Sequence, residues 1–151
     1  MEVWADRHGD VIVHTADSVD FTLPYHQWGH YGRPTDANDP ARCAFLTCFE
    51  AHYLHDLALL PTPLPEQTIK AVGKDLSGYR VYAMLRKAGW TVRSGLQFGG
   101  DFLLYRGAPG QDHAPYIVIV DRGGFGMTGM VVAGLVRAAA GARKQILLAS
   151  P

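Results

Sequence analysis

The run Tyr116–Val120, YIVIV, restricts this chain more than any other stretch. Five continuous apolar residues, four of them β-branched, fit a strand buried in a sheet better than one with a wet face. The 22 residues from Gly95 to Tyr116, GLQFGGDFLLYRGAPGQDHAPY, lead into it. They hold a Gly-Gly pair, a second apolar strand ending at Tyr105, a Gly/Pro turn and His113, so two proton-transfer groups flank one short loop.

The surrounding pattern fixes a layer. Ser77 is read as the cap of a helix that runs through Val81, Leu85 and Ala88 to a stop at Gly89. Strands are expected at Trp90–Arg93 and Phe102–Tyr105, a glycine-rich loop at Gly123–Gly129, a helix at Met130–Ala140 and a last strand at Gln145–Ala149. Helix, three strands, helix and strand make an α/β or α+β fold.

The first half reads as a small helix-rich lobe. Glu2–Trp4 and Val11–His14 flank the turn Asp6-Arg7-His8-Gly9-Asp10 and suggest a hairpin. Phe21–His30 is aromatic and irregular. Asp39 before Pro40 is a plausible cap for a helix over Ala41–Leu60, with Pro61, Pro63 and Pro65 ending it. Gln67–Lys74 suggests a short helix. On this reading Cys43 and Cys48 lie on one helix about 140° apart, which suits reduced thiols better than a disulfide. The domain boundary falls between 75 and 76.

Formal net charge is zero, but the halves differ. Residues 1–75 hold 5 Lys/Arg and 11 Asp/Glu, a net −6, and residues 76–151 hold 9 and 3, a net +6. A basic second half suits a phosphate-bearing partner. No basic-then-apolar leader opens the sequence, and no apolar run approaches the ~18–20 residues of a membrane span, so a soluble intracellular protein is expected.

Metal chemistry has weak support. His52 and His55, three apart beside Glu50 and Asp56, have a ligand-like spacing that also fits the wet face of a helix. His26 and His30 lie among aromatics. There is no CxxC, HExxH, GxxxxGK[ST] or dinucleotide fingerprint.

Tyr105, His113 and a lysine would suit RNA phosphodiester cleavage. The 2′-hydroxyl must lose a proton, the 5′-oxygen must gain one, and charge grows on the phosphoryl oxygens. Histidine, with a type value of ~6.5, moves protons near neutrality. Tyrosine, at ~10, needs nearby positive charge to act as a base.

The order Leu85-Arg86, Gly89-Trp90, Arg93, Gly95, Phe98-Gly99-Gly100-Asp101-Phe102, Tyr105, Pro109, His113-Ala114 resembles the catalytic domain of tRNA-splicing endonucleases, the tRNA-intron lyases. Leu135 to Ala149, with Arg143-Lys144 before an apolar strand, resembles the family's later helix and strand, and Phe49-Glu50-Ala51-His-Tyr53-Leu54 resembles its N-terminal EA.YL motif. The likeness implies an endonuclease-like C-terminal domain, 76–151, with a mixed sheet flanked by helices. It implies Tyr105 as general base, His113 as general acid and Lys144 as the transition-state cation, with no cofactor and no metal. Arg137 would stack on a splayed intron base, and Arg143 would join the RNA-binding surface. The implied activity is cleavage of precursor tRNA at a bulge–helix–bulge, giving 2′,3′-cyclic phosphate and 5′-hydroxyl ends. The implied partner is a further subunit in a homo- or hetero-oligomer, in archaeal cytoplasm or a eukaryotic nucleus. The family's second clamp residue and its dimer-pairing strand have no counterpart before Pro151, so either the chain is shortened or a partner or altered architecture substitutes. A non-catalytic structural subunit that binds RNA is the alternative. A metal-binding regulator built on the N-terminal histidines is a weaker one.

Overall fold

The computed structural model describes residues 2–14, 33–34, 43–60, 63–107, 109, 113–123 and 128–151. The chain divides into two compact units, Met1–Leu76 and Ser77–Pro151. Among the described residues no helix is long and apolar enough to cross a membrane.

In the first unit, β1 (Glu2–Ala5) and β2 (Val11–His14) form the expected hairpin, with Trp4 opposite Ile12. β4 (Cys43–Leu46) and β3 (Arg33–Pro34) extend it to a four-stranded antiparallel sheet in the order β1-β2-β4-β3. Val11 and Val13 alternate inward and pack with Leu46, Ala51, Leu54 and Leu60.

The helix expected over 41–60 is therefore two elements. Cys43–Leu46 pairs with β2, and α1 spans only Cys48–Asp56. The break is a capping box. The Thr47 hydroxyl accepts from the Glu50 N–H at 3.2 Å, and the Glu50 carboxylate accepts from the Thr47 N–H at 2.9 Å. Glu50, Ala51, Tyr53 and Leu54 are all buried, which accounts for the EA.YL pattern. The helix ends at Leu57 and Ala58 (φ 56°), ahead of the prolines expected to stop it. Cys43 and Cys48 consequently lie on different elements, and Cys48 is a free thiol. The Asp39–Pro40 cap and the Phe21–His30 segment, with His26 and His30, lie outside the described residues. α2 spans Glu66–Lys74.

α3 (Leu76–Lys87) is separated from α2 by the single residue Asp75, so Ser77 sits inside the helix and is not its cap. Gly89 (φ 91°) stops it, its N–H donating to Arg86 O and that of Trp90 to Leu85 O. β5 (Thr91–Ser94), β6 (Phe102–Tyr105) and β7 (Tyr116–Val120) are antiparallel neighbours. α4 (Gly129–Gly141), capped by Thr128, then carries the chain to β8 (Gln145–Ala149), which lies parallel to β7. The result is an α+β fold with a mixed sheet in the order β5-β6-β7-β8.

Helices cover both faces of that sheet. Tyr82 of α3 meets Phe102 at a ring separation of 5.9 Å. Buried Arg86 donates to Tyr82 Oη at 2.9 Å and to Val92 O at 3.1 Å, tying the helix to β5. On the other face Ala139 of α4 packs with Leu103, Ala114 and Ile117.

Candidate active site

Strand direction brings three separated residues to one end of the sheet. β6 runs out at Tyr105, and because Leu104 pairs with Tyr116, the chain returns to that end through His113-Ala114-Pro115. β8 is parallel to β7 with Gln145 beside Tyr116, so Lys144 arrives at the same end. Adjacent strands are ~4.8 Å apart, which sets the scale of the gathering.

Pleating sets the face. Leu103, Ile117 and Ile146 are aligned across the three strands. Tyr105 lies two residues beyond Leu103 and Lys144 two before Ile146, so both belong to the face that α4 covers. Tyr105 is half-buried against the Leu103–Ala114–Ile117–Ala139 cluster. His113 is exposed, while Ala114 beside it is buried.

Lys144 is the most constrained of the three. Its Nζ donates to Ala114 O at 2.6 Å and sits 5.2 Å from the centre of the Phe98 ring, in cation–π contact. Its backbone N–H donates to Ala139 O at 2.8 Å, and that of Gln145 to Pro115 O at 2.9 Å. Arg143 adopts φ 55°, a left-handed conformation that costs about 1 kcal/mol in a non-glycine residue, and so turns the chain from α4 into β8.

The FGGDF segment ties the start of β6 to the far end of β7, across the sheet from the end that Tyr105 and Lys144 share. Phe98 closes a 3-10 turn, Leu96–Phe98. Gly100 lies so close to the Ile117 side chain and Val118 O that a Cβ has no room there. Asp101 bridges two partners: Oδ2 accepts from the Val120 N–H at 2.7 Å, and Oδ1 meets Arg122 at 2.8 Å.

The structure thus brings Tyr105, His113 and Lys144 to one sheet end, with Arg143 exposed on the adjoining turn. Arg137 is exposed on α4, its Nε donating to Ala133 O at 3.3 Å, four residues or about 6 Å of helix before Gly141. Phe98 is the partner that sequence reasoning did not single out. It appeared only as a letter in a glycine-rich pattern, and its place three residues before Asp101 was the available signal. Arg106, one past Tyr105, points by strand alternation to the other face, where its guanidinium is 6.0 Å from the centre of the Trp90 ring. Among the described residues no group of three or more His, Cys, Asp or Glu is placed to hold a metal ion, and His52 instead pairs with Asp56 at 3.3 Å.

Comparison with known proteins meets the same region. Residues 76–151 match the family model described as tRNA intron endonuclease, catalytic C-terminal domain. The chain is 34% identical over 119 residues to a tRNA-splicing endonuclease of Saccharolobus islandicus (strain L.S.2.15 / Lassen #1), covering 68% of this chain and 65% of the relative. To the tRNA-splicing endonuclease of Saccharolobus solfataricus it is 32% identical over 119 residues, with the same coverage. To that of Hyperthermus butylicus it is 34% identical over 110 residues, covering 62% of this chain and 61% of the relative. The chain therefore spans less than two thirds of the length of these relatives.

Proposed function

The chain belongs to the tRNA intron endonuclease family, and we propose that it is a catalytic subunit of a tRNA-splicing endonuclease, cutting precursor tRNA at exon–intron junctions. The reaction is a transesterification within the RNA. The 2′-oxygen attacks the neighbouring phosphorus, the bond from phosphorus to the 5′-oxygen breaks, and 2′,3′-cyclic phosphate and 5′-hydroxyl ends result. One proton leaves the 2′-oxygen and one reaches the 5′-oxygen, so a base and an acid complete the balance without a metal.

Tyr105 is the base, His113 the acid, and the Lys144 ammonium faces the phosphoryl oxygens as their charge grows. An ammonium has three N–H donors; Ala114 takes one, which aims the group and leaves two for the phosphate.

The convergence of the ends of β6, β7 and β8, with Lys144 anchored to the residue after His113, carries this reading. The test is incubation with a bulge–helix–bulge RNA in EDTA, with any partner subunit present, followed by chemical mapping of the ends. Cyclic phosphate and 5′-hydroxyl ends are expected. Loss of cleavage in EDTA, or 5′-phosphate ends, would contradict it.

Work as a homo- or hetero-oligomer with a structural subunit belongs to the same proposal. One triad cuts one junction, and an intron has two. Its physical support is the outer surface of the second unit, where β8 is the sheet edge. Leu147 and Leu148 on β8 and Met130, Val131, Val132 and Val136 on α4 are exposed, an apolar area that suits a protein partner.

A further inference from the structure

The first half of the chain is acidic, yet three of its five Lys/Arg residues line one cavity. Arg7, Lys70 and Lys74 surround a space of about 450 Å³ in the first unit, together with His8, Gln67, Cys48, Phe49, Ala71 and the carboxylate of Asp75. Three cations around one concavity repel one another, and Asp75 is the one carboxylate among the described lining residues.

The cavity is rigidly built. The Asp6 carboxylate accepts from the N–H groups of His8 at 2.8 Å and Asp10 at 3.0 Å, fixing the β1–β2 turn. Gly9 (φ 85°) lies flush on α2: a Cβ there would come within 2.6 Å of the Ala71 Cβ and 2.8 Å of Gln67 O. The buried Thr68 hydroxyl donates to Gly9 O at 2.9 Å. The turn is thus pinned to α2, and Arg7 and His8 are held on the same cavity as Lys70 and Lys74, which stand one helical turn apart.

The donors suit one ligand chemistry. Arg7 Nε donates to His8 Nε2 at 3.1 Å, which leaves the terminal nitrogens of the guanidinium to grip an oxyanion. Lys70 reaches the exposed Glu66 at 2.6 Å and has further N–H groups to offer. The Cys48 thiol, pushed up to about 11 by its burial and then by the Asp10 charge, adds no negative charge at neutral pH.

We propose that this cavity binds a phosphate group, in a different unit from the sheet-end triad and independently of cleavage. Tetrahedral oxygens met by an arginine fork and two lysines match a phosphate better than a planar carboxylate. The volume lies within the ~300–1,000 Å³ of small-ligand sites. The phosphate belongs either to a free phosphate compound or to an RNA backbone, and the two are separable.

The experiment is a titration of the full chain with pyrophosphate, followed by amide NMR against sodium chloride of equal ionic strength. Saturable shifts are expected at Arg7, the Gln67 side chain, Lys70, Ala71 and Lys74, with affinity falling about tenfold or more in Arg7→Glu and in Lys74→Glu. Shifts no larger than those from chloride, or an affinity unmoved by both substitutions, overturn the proposal. The wild-type titration can refute it alone, and the same spectra show whether the variants keep the fold. A precursor RNA blocked by 2′-deoxy substitution at its cleavage sites then assigns the source. Displacement of bound pyrophosphate supports a backbone phosphate, and retention supports a free phosphate compound.

Discussion

The Lys144 ammonium donates a 2.6 Å hydrogen bond to the carbonyl of Ala114, the residue that follows His113. The cation of the proposed site and the loop bearing its acid are therefore one mechanical unit, closed from below by the Phe98 ring.

Substitutions at this contact should act on the chemical step. Lys144→Ala is expected to slow single-turnover cleavage about 10²–10³-fold, the usual effect of removing one donor to a developing oxyanion. Phe98→Leu should cost about two- to tenfold through the lost cation–π contact, with KM little changed. A Phe98→Leu effect confined to KM would show that the ring touches substrate and does not hold the lysine.

Gly100→Ala should destabilise the second unit by about 1–3 kcal/mol, because its methyl group must displace Ile117 or the Val118 carbonyl. Denaturant unfolding measures this. A variant as stable as wild type would mean that β7 yields there without cost.

Much of the second unit was legible. The YIVIV run, the helix period that stops at Gly89 and the apolar period of Met130–Ala140 each name an element through local residues alone, and those elements are present. The first unit was less legible because Cys43–Leu46 owes its strand conformation to pairing with β2, 29 to 35 residues earlier, while its apolar spacing also fits a helix. The Thr47-x-x-Glu50 capping box was the local sign of the boundary. At the site, the residue types were visible, but the Lys144–Ala114 contact spans thirty residues and exists only through the β7–β8 register.

Arg137 is exposed and bonds only to its own helix in the described contacts, so Arg137→Ala should leave the fold intact. If it stacks on a splayed intron base, the variant raises KM about two- to tenfold with kcat nearly unchanged. An equal loss in kcat would place Arg137 in the chemistry instead.

The Cys48 thiol, raised from 9.0 to about 11 chiefly by burial, holds its proton more tightly in the folded chain than in the unfolded one. Its contribution to stability is complete below pH ~9 and is lost as pH rises through ~11. Alkylation at pH 8, read at the Cys48 peptide, should be at least about tenfold slower in the folded chain than in urea. Equal rates would show that the thiol is neither shielded nor shifted.

The central claim is that His113 protonates the departing 5′-oxygen. The most direct measurement is single-turnover cleavage in EDTA of a bulge–helix–bulge RNA carrying a sulfur in place of the 5′-oxygen at the junction, since a thiolate leaves without a proton. On the ordinary RNA, His113→Ala should be slower than wild type by about 10²–10⁴-fold. On the sulfur-substituted RNA the variant should approach the wild-type rate. An equal loss on both substrates, or no loss on either, would contradict His113 as the acid.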